Sequence, residues 1–313
     1  MQEINIEHHT TIRDNVLKTL RYFHMFRHPL YSEDILSFIN VAISPDELKD
    51  ILADMTAKQE IYVHKGLYML EDNPNFSDKR LKGAEVAEYV MQKAVKSAAI
   101  IGSFPFVKSI CISGSLSKGY ADEKSDIDYF IITQQNRLWI CRSLLHLYKK
   151  FTFIIGKQHS FCMNYFLDES HPELEEKNIF TATEMVTLYP VYGHELYTNF
   201  IQKNETWLSG QFPNKVRYSR EGDVIGLRLP LFKKASQLLL NIVFPTQMNR
   251  FFMKLTDRWW RYKWQKKNYP MQDYEIAMKT KIYVSKNHPA NYQKKVLNNI
   301  DQKPMVKPVL QVR

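Results

Sequence analysis

Two aspartates, Asp126 and Asp128, stand one residue apart just ahead of the apolar run Tyr129–Ile132. A Gly-Ser pair, Gly114-Ser115, precedes them across a spacer of about ten residues. Residues i and i+2 of an extended strand point to the same face, so a strand over 126–133 carries both carboxylates on one side. Two anions held about 4–5 Å apart at a surface repel by a few kcal/mol. A shared divalent cation relieves that cost, and Mg²⁺ favours carboxylates combined with substrate phosphates. The Gly-Ser turn offers backbone N–H groups and a hydroxyl where a helix begins, which suits a phosphate. Ser117 and Lys118 belong to the same turn and face either a phosphate or solvent. Metal and phosphate sites side by side are what phosphoryl or nucleotidyl transfer requires.

The flanking pattern predicts how these groups are held. A long helix is expected over 77–101, then a strand over 107–112, the Gly-Ser turn with a short helix, and the acid-bearing strand over 126–133. A mostly apolar helix over 137–155, capped by Gly156, leads to a third strand over 160–167. This alternation implies an α+β fold, a mixed sheet with flanking helices. Residues 173–188 read as helix, 204–213 as loop, and 231–244 and 247–267 as helices split by Pro245.

Ahead of this, residues 1–72 read as three helices and a hairpin, a winged-helix-like unit. Ser44-Pro45-Asp46-Glu47 is a capping box with Pro at the first helical position. Lys65-Gly66 sits between two short β-like runs. The third helix carries Asp46, Glu47, Asp50 and Asp54 against Lys49, so it would be repelled by nucleic-acid phosphates. A structural or protein-contact role is expected for it. Asn73-Pro74-Asn75 marks a boundary, giving a second unit over 73–214, a basic helical C-terminal region over 215–302 and a disordered tail over 303–313.

At 313 residues the chain holds two or three domains, and 36 Phe and Tyr residues suffice for sizeable cores. Cys111, Cys141 and Cys162 are far apart and in or beside apolar runs, which argues against a zinc site or disulfide scaffold and for reduced core residues in a cytoplasmic protein. His159, His171 and His194 lack metal-ligand spacing. No signal-peptide pattern occupies residues 1–15, and the longest apolar runs fall short of a bilayer, so no membrane partner is expected. From Lys215 onward 21 basic residues face 6 acidic ones, although the whole chain is only +10. That asymmetry suits an anionic partner or marks a solvated basic surface. Trp259, Trp260 and Trp264 among Arg and Lys could serve nucleic acid by stacking, or be helix core.

Gly114-Ser115 with Ser125-Asp126-Ile127-Asp128 resembles the signature of the DNA polymerase β-like nucleotidyltransferase superfamily. The flanks Tyr22–Leu30, Cys162–Phe166 and Glu184–Gly193 are similar to bacterial nucleotidyltransferase-domain proteins, extending the resemblance over most of residues 12–214. The resemblance implies that Gly114 and Ser115 hold the phosphates of an NTP such as ATP, and that Asp126 and Asp128 bind Mg²⁺ or Mn²⁺, while Ser117 and Lys118 stay open between phosphate and solvent. It also implies a third acid on a later strand. That strand has no carboxylate here, and Asn164 occupies the place; Asp168 and Glu169 could substitute only with an offset strand. The expected activity is transfer of a nucleoside monophosphate from NTP to an acceptor. A binding or sensor module without turnover, or a nucleic-acid-binding regulator, are the alternatives.

Overall fold

The computed structural model describes residues 2–122, 125–154, 161–215 and 230–300. The chain opens with helices α1 (Gln2–His24), α2 (Ser32–Phe38) and α3 (Pro45–Ala57), followed by strands β1 (Tyr62–His64) and β2 (Leu67–Met69). Ser44 Oγ accepts the Glu47 N–H at 3.2 Å with Pro45 at the first helical position, as the capping pattern predicts. Lys65 and Gly66 both take positive φ, which fits a tight turn matched to the strand twist. Ile12, Val16, Leu20, Ile35, Leu52 and Met55 form the core of this unit. The acids Asp46, Asp50 and Asp54 of α3 are exposed on its outer side.

Helix α4 (Pro74–Gly102) leads into the sheet: β3 (Val107–Ser113), the one-turn α5 (Gly114–Ser117), β4 (Asp128–Thr133), α6 (Leu138–Ile154) and β5 (Cys162–Asp168). Then come α7 (Ile179–Val186), β6 (Tyr189–Tyr192), α8 (His194–Gln211), α9 (Pro230–Val243) and α10 (Thr246–Lys266). The chain continues with α11 (Tyr274–Ala277), β7 (Met278–Lys281), β8 (Val284–Asn287) and α12 (Tyr292–Asn299). The six-stranded sheet has the order β6-β3-β4-β5-β8-β7, and only β4 and β5 run parallel. The fold is therefore mixed α+β. β4 is apolar over Tyr129–Ile132 because both its faces are covered there. Tyr129 and Ile131 pack under α4 and α6, whereas Phe130 and Ile132 pack under α7 and α8.

Three expectations are corrected. The C-terminal part is not helical throughout: β7 and β8 form a hairpin that pairs with β5. Lysines at 279, 281 and 286 obscure its alternation, and each is ion-paired to Glu175 or Glu176. Residues 204–211, read as loop, complete α8. Asn204 there is buried, accepts from Leu174 N and Trp207 Nε1, and donates to Pro172 O, so a polar residue acts as a core tie. The helix expected over 173–188 is confined to Ile179–Val186. Gly156, His159, Ser160 and the tail over 303–313 lie outside the described residues.

Candidate functional site

The site forms where β3 ends. Ser113 pairs with Asp128 in the antiparallel ladder, and Gly114 then leaves the strand at φ +70°. A Cβ at position 114 would lie 2.7 Å from Asp128 Oδ2, so glycine is what lets the carboxylate sit against the turn. The turn takes β3 out of the ladder at this point. The expected strand over 126–133 accordingly begins at Asp128, and Asp126 is exposed on the segment leading into it. The two acids still interact electrostatically. Burial is the main cause raising the Asp128 carboxyl to about 6; Asp126 and Glu184 add to the rise, and the Cys162 thiol and Lys118 oppose it.

The remaining turn residues divide. Ser115 is exposed beside Gly114. As the first residues of a one-turn helix, 114–116 have N–H groups without an intrahelical acceptor. Ser117 is buried, and its hydroxyl donates to Gly114 O at 2.9 Å. Lys118 Nζ donates to Gly114 O at 3.0 Å and to Glu184 Oε1 at 2.8 Å. Arg80, from α4, donates to Gly119 O at 2.8 Å and braces the far end of the turn.

Asn164 reaches the acid. Its Nδ2 donates to Asp128 Oδ1 at 2.8 Å and lies 3.1 Å from Cys162 Sγ. The β4–β5 register shifts after Tyr129↔Met163 to Phe130↔Tyr165, leaving Asn164 as the extra residue of a bulge. A bulge re-aims side chains, and here it puts Asn164 against Asp128 while Tyr165 stacks on Phe130, with centroids 5.0 Å apart. Asp168 and Glu169 are not substitutes. Asp128 pairs with Cys162 at the start of β5 and Thr133 with Asp168 at its end, which separates Asp168 from Asp128 by roughly 20 Å of strand. Asp168 instead accepts from Asn136 N and Ser170 N, and Glu169 from Gln135 N. Among the described residues no group of three or more His, Cys, Asp or Glu side chains is arranged to hold a metal ion.

Sequence reasoning missed two groups. Glu184 is the one charged residue of α7, otherwise Ile-Phe-Thr-Ala-Thr-Met-Val, and that isolation was the available signal. The second group lines a groove that starts at Ser113 and Glu184, runs over Phe130 and Tyr165, and ends at His288 and Gln293. His288 stands edge-on to Tyr165, and its buried Nε2 has no hydrogen-bond partner among the described residues. Burial, reinforced by Lys286, lowers its pKa to about 4 and keeps it neutral at pH 7. Lys286 is 5% exposed and donates to Glu176 and Gln293. These residues come from β8, α12 and the turn between them, more than a hundred positions from the acids, and nothing local announces them.

No family model, no curated protein and no solved structure matches this chain.

Of the aromatic cluster, Trp260 is buried beneath Arg142 and Trp264 packs on Tyr269, whereas Trp259 is 55% exposed. The three indoles do not form one stacking surface.

Proposed function

We propose that this chain is a nucleotidyltransferase that moves a nucleoside monophosphate from an NTP, such as ATP, to an acceptor and releases pyrophosphate. The observation that carries the reading is the contact at Gly114: a left-handed glycine whose missing side chain leaves room for the Asp128 carboxylate. It brings an anionic group and the free N–H groups of a turn into one space, the juxtaposition that phosphate plus cation requires. The donor set fits Mg²⁺ or Mn²⁺. Asp126 and Asp128 are hard oxygen ligands, and a cation beside them would offset the burial that raises the Asp128 carboxyl. Asp126 and Asp128 would hold the metal, and substrate phosphates would complete its shell. When bound, the metal supplies charge neutralisation at those phosphates.

In this reading Gly114 and Ser115 orient the phosphates through backbone N–H groups. Ser117 and Lys118 act one step back, since both donate to Gly114 O and so fix the turn. Lys118 keeps Glu184 paired at the mouth of the groove, where the acceptor would enter. Asn164 orients Asp128 by its hydrogen bond, but an amide cannot take a proton from an acceptor hydroxyl. This last observation favours a second reading, a nucleotide-binding module that does not turn over.

Calorimetry with each NTP and Mg²⁺, combined with pyrophosphate release over a panel of acceptors, separates the two. Transfer lost in Asp126→Ala and in Asp128→Ala, with melting temperature retained, supports the enzyme. Binding without release supports the module. Transfer that survives both substitutions refutes the assigned roles.

A further inference from the structure

Helix α9 is built inside out. Its one buried charge, Lys233, points inward and donates to Gly102 O at 2.8 Å and Val107 O at 2.6 Å. Leu240 and Phe244 follow Lys233 on the inner side and pack on the sheet core. The outward side has Leu231, Phe232, Leu238, Leu239 and Ile242, each 60–80% exposed. An ammonium turned in and leucines turned out reverse the arrangement that water imposes on a surface helix. The inward ties fix the rotation of the helix, so the apolar face cannot roll under.

Helix α10 continues the pattern. Its inner side, Met248, Phe252 and Met253, packs on the same core, so its outer side also looks away from the sheet. That outer side has an apolar row, Phe251, Leu255 and Trp259, at i, i+4 spacing, each 54–55% exposed. One residue back runs a basic row, Arg250, Lys254 and Arg258, all exposed. Tyr262 is 62% exposed beside the apolar row. The helix has six basic side chains against one acid, Asp257. Between α4, α6 and α9 a further apolar groove opens, lined by Phe104, Leu144, Phe232 and Leu240. Exposed apolar patches of this extent mark an interaction surface.

We propose that the outward faces of α9 and α10 dock on an anionic lipid surface and lie in its interface. Leucine, phenylalanine and exposed tryptophan beside a lysine–arginine row are the composition of interfacial amphipathic helices. No helix among the described residues is long and apolar enough to cross a membrane, and docking requires none. The expectation of no membrane partner rested on the lack of a signal-peptide pattern and of a spanning run, neither of which bears on docking at an interface. Charge chooses the occupant. A second copy placed face to face would bring like-charged basic rows together, whereas an anionic surface neutralises them.

The test uses the full chain in flotation with phosphatidylcholine vesicles, either pure or containing about one-third phosphatidylglycerol. The expected result is binding to the anionic vesicles at least tenfold tighter than to the neutral ones. It should fall about tenfold or more in Arg250→Glu/Lys254→Glu/Arg258→Glu and also in Leu239→Ser/Ile242→Ser. Thermal melting checks that each variant folds; should the serine pair fail, the charge variant, altered only at exposed residues, carries the test. Absence of binding, equal binding to both vesicles, or variants that bind like wild type overturn the proposal. So does a dimer in light scattering that the serine pair dissolves, which assigns the face to a second copy. Duplex DNA binding lost only in the charge variant, without vesicle binding, assigns it to nucleic acid and also overturns the proposal.

Discussion

Gly114→Ala tests the contact on which the site depends. The substitution acts twice. An alanine at φ +70° pays a left-handed penalty of about 1–2 kcal/mol. Its Cβ would also sit 2.7 Å from Asp128 Oδ2, so the carboxylate must move off the Asn164 amide that donates to it at 2.8 Å. Weakening a charge-assisted hydrogen bond in a half-buried setting adds about 1–2 kcal/mol, for a total of about 2–4 kcal/mol. Gly119→Ala is the internal control. Its φ is +69°, but the nearest atom to its Cβ, Arg80 Nη2, lies 3.9 Å away, so only the left-handed penalty of about 1–2 kcal/mol applies. In an Asp128→Ala background the obstructing oxygen is gone, and Gly114→Ala should fall to the cost of the control. Urea unfolding of the four members of this cycle measures the coupling, expected at about 1–2 kcal/mol. Equal costs for the two glycines, with no coupling to Asp128, would refute the idea that Gly114 exists to admit the carboxylate.

Two further outcomes follow from the same geometry. The His288 pKa of about 4 lies below the ordinary histidine value of 6.5, so the unfolded chain binds more protons between those limits. Stability should therefore fall as pH drops from about 6.5 to about 4, by at most about 3 kcal/mol, and be full above that window; a His288→Phe protein with an unchanged pH profile in urea melts would contradict it. Asn164→Asp removes the amide donor and adds a carboxylate beside Asp128, so it should destabilise the protein without metal by about 1–3 kcal/mol and strengthen the melting-temperature gain from added Mg²⁺. A variant whose melting is indifferent to Mg²⁺ would mean that no cation is held between these positions.

The lost loop at 204–211 and the missed hairpin at 278–287 share a cause. Composition describes a segment against water, and both segments face protein. Asn204 signals a turn when solvated but ties Pro172, Leu174 and Trp207 when buried. Lys279 and Lys286 resemble helix-surface lysines until Glu176 meets them across the sheet edge. The α7 charge, Glu184, was visible, but its partner Lys118, 66 positions away, was not.

What the chain determined locally was whatever depends on neighbours in sequence. The Ser44 cap, the Lys65-Gly66 hairpin, the apolar run of β4 and the Gly-Ser turn ahead of two acids are set by short-range hydrogen bonding, backbone freedom and side-chain alternation. Tertiary structure decided the rest. The end of the β3 ladder separated Asp126 from the strand, and a one-residue bulge in β5 brought Asn164 to Asp128 while leaving Asp168 at the far end. Rotation of α9 about its buried lysine turned leucines outward. Each of these is a matter of register or rotation between distant segments, which side-chain periodicity within one segment leaves open.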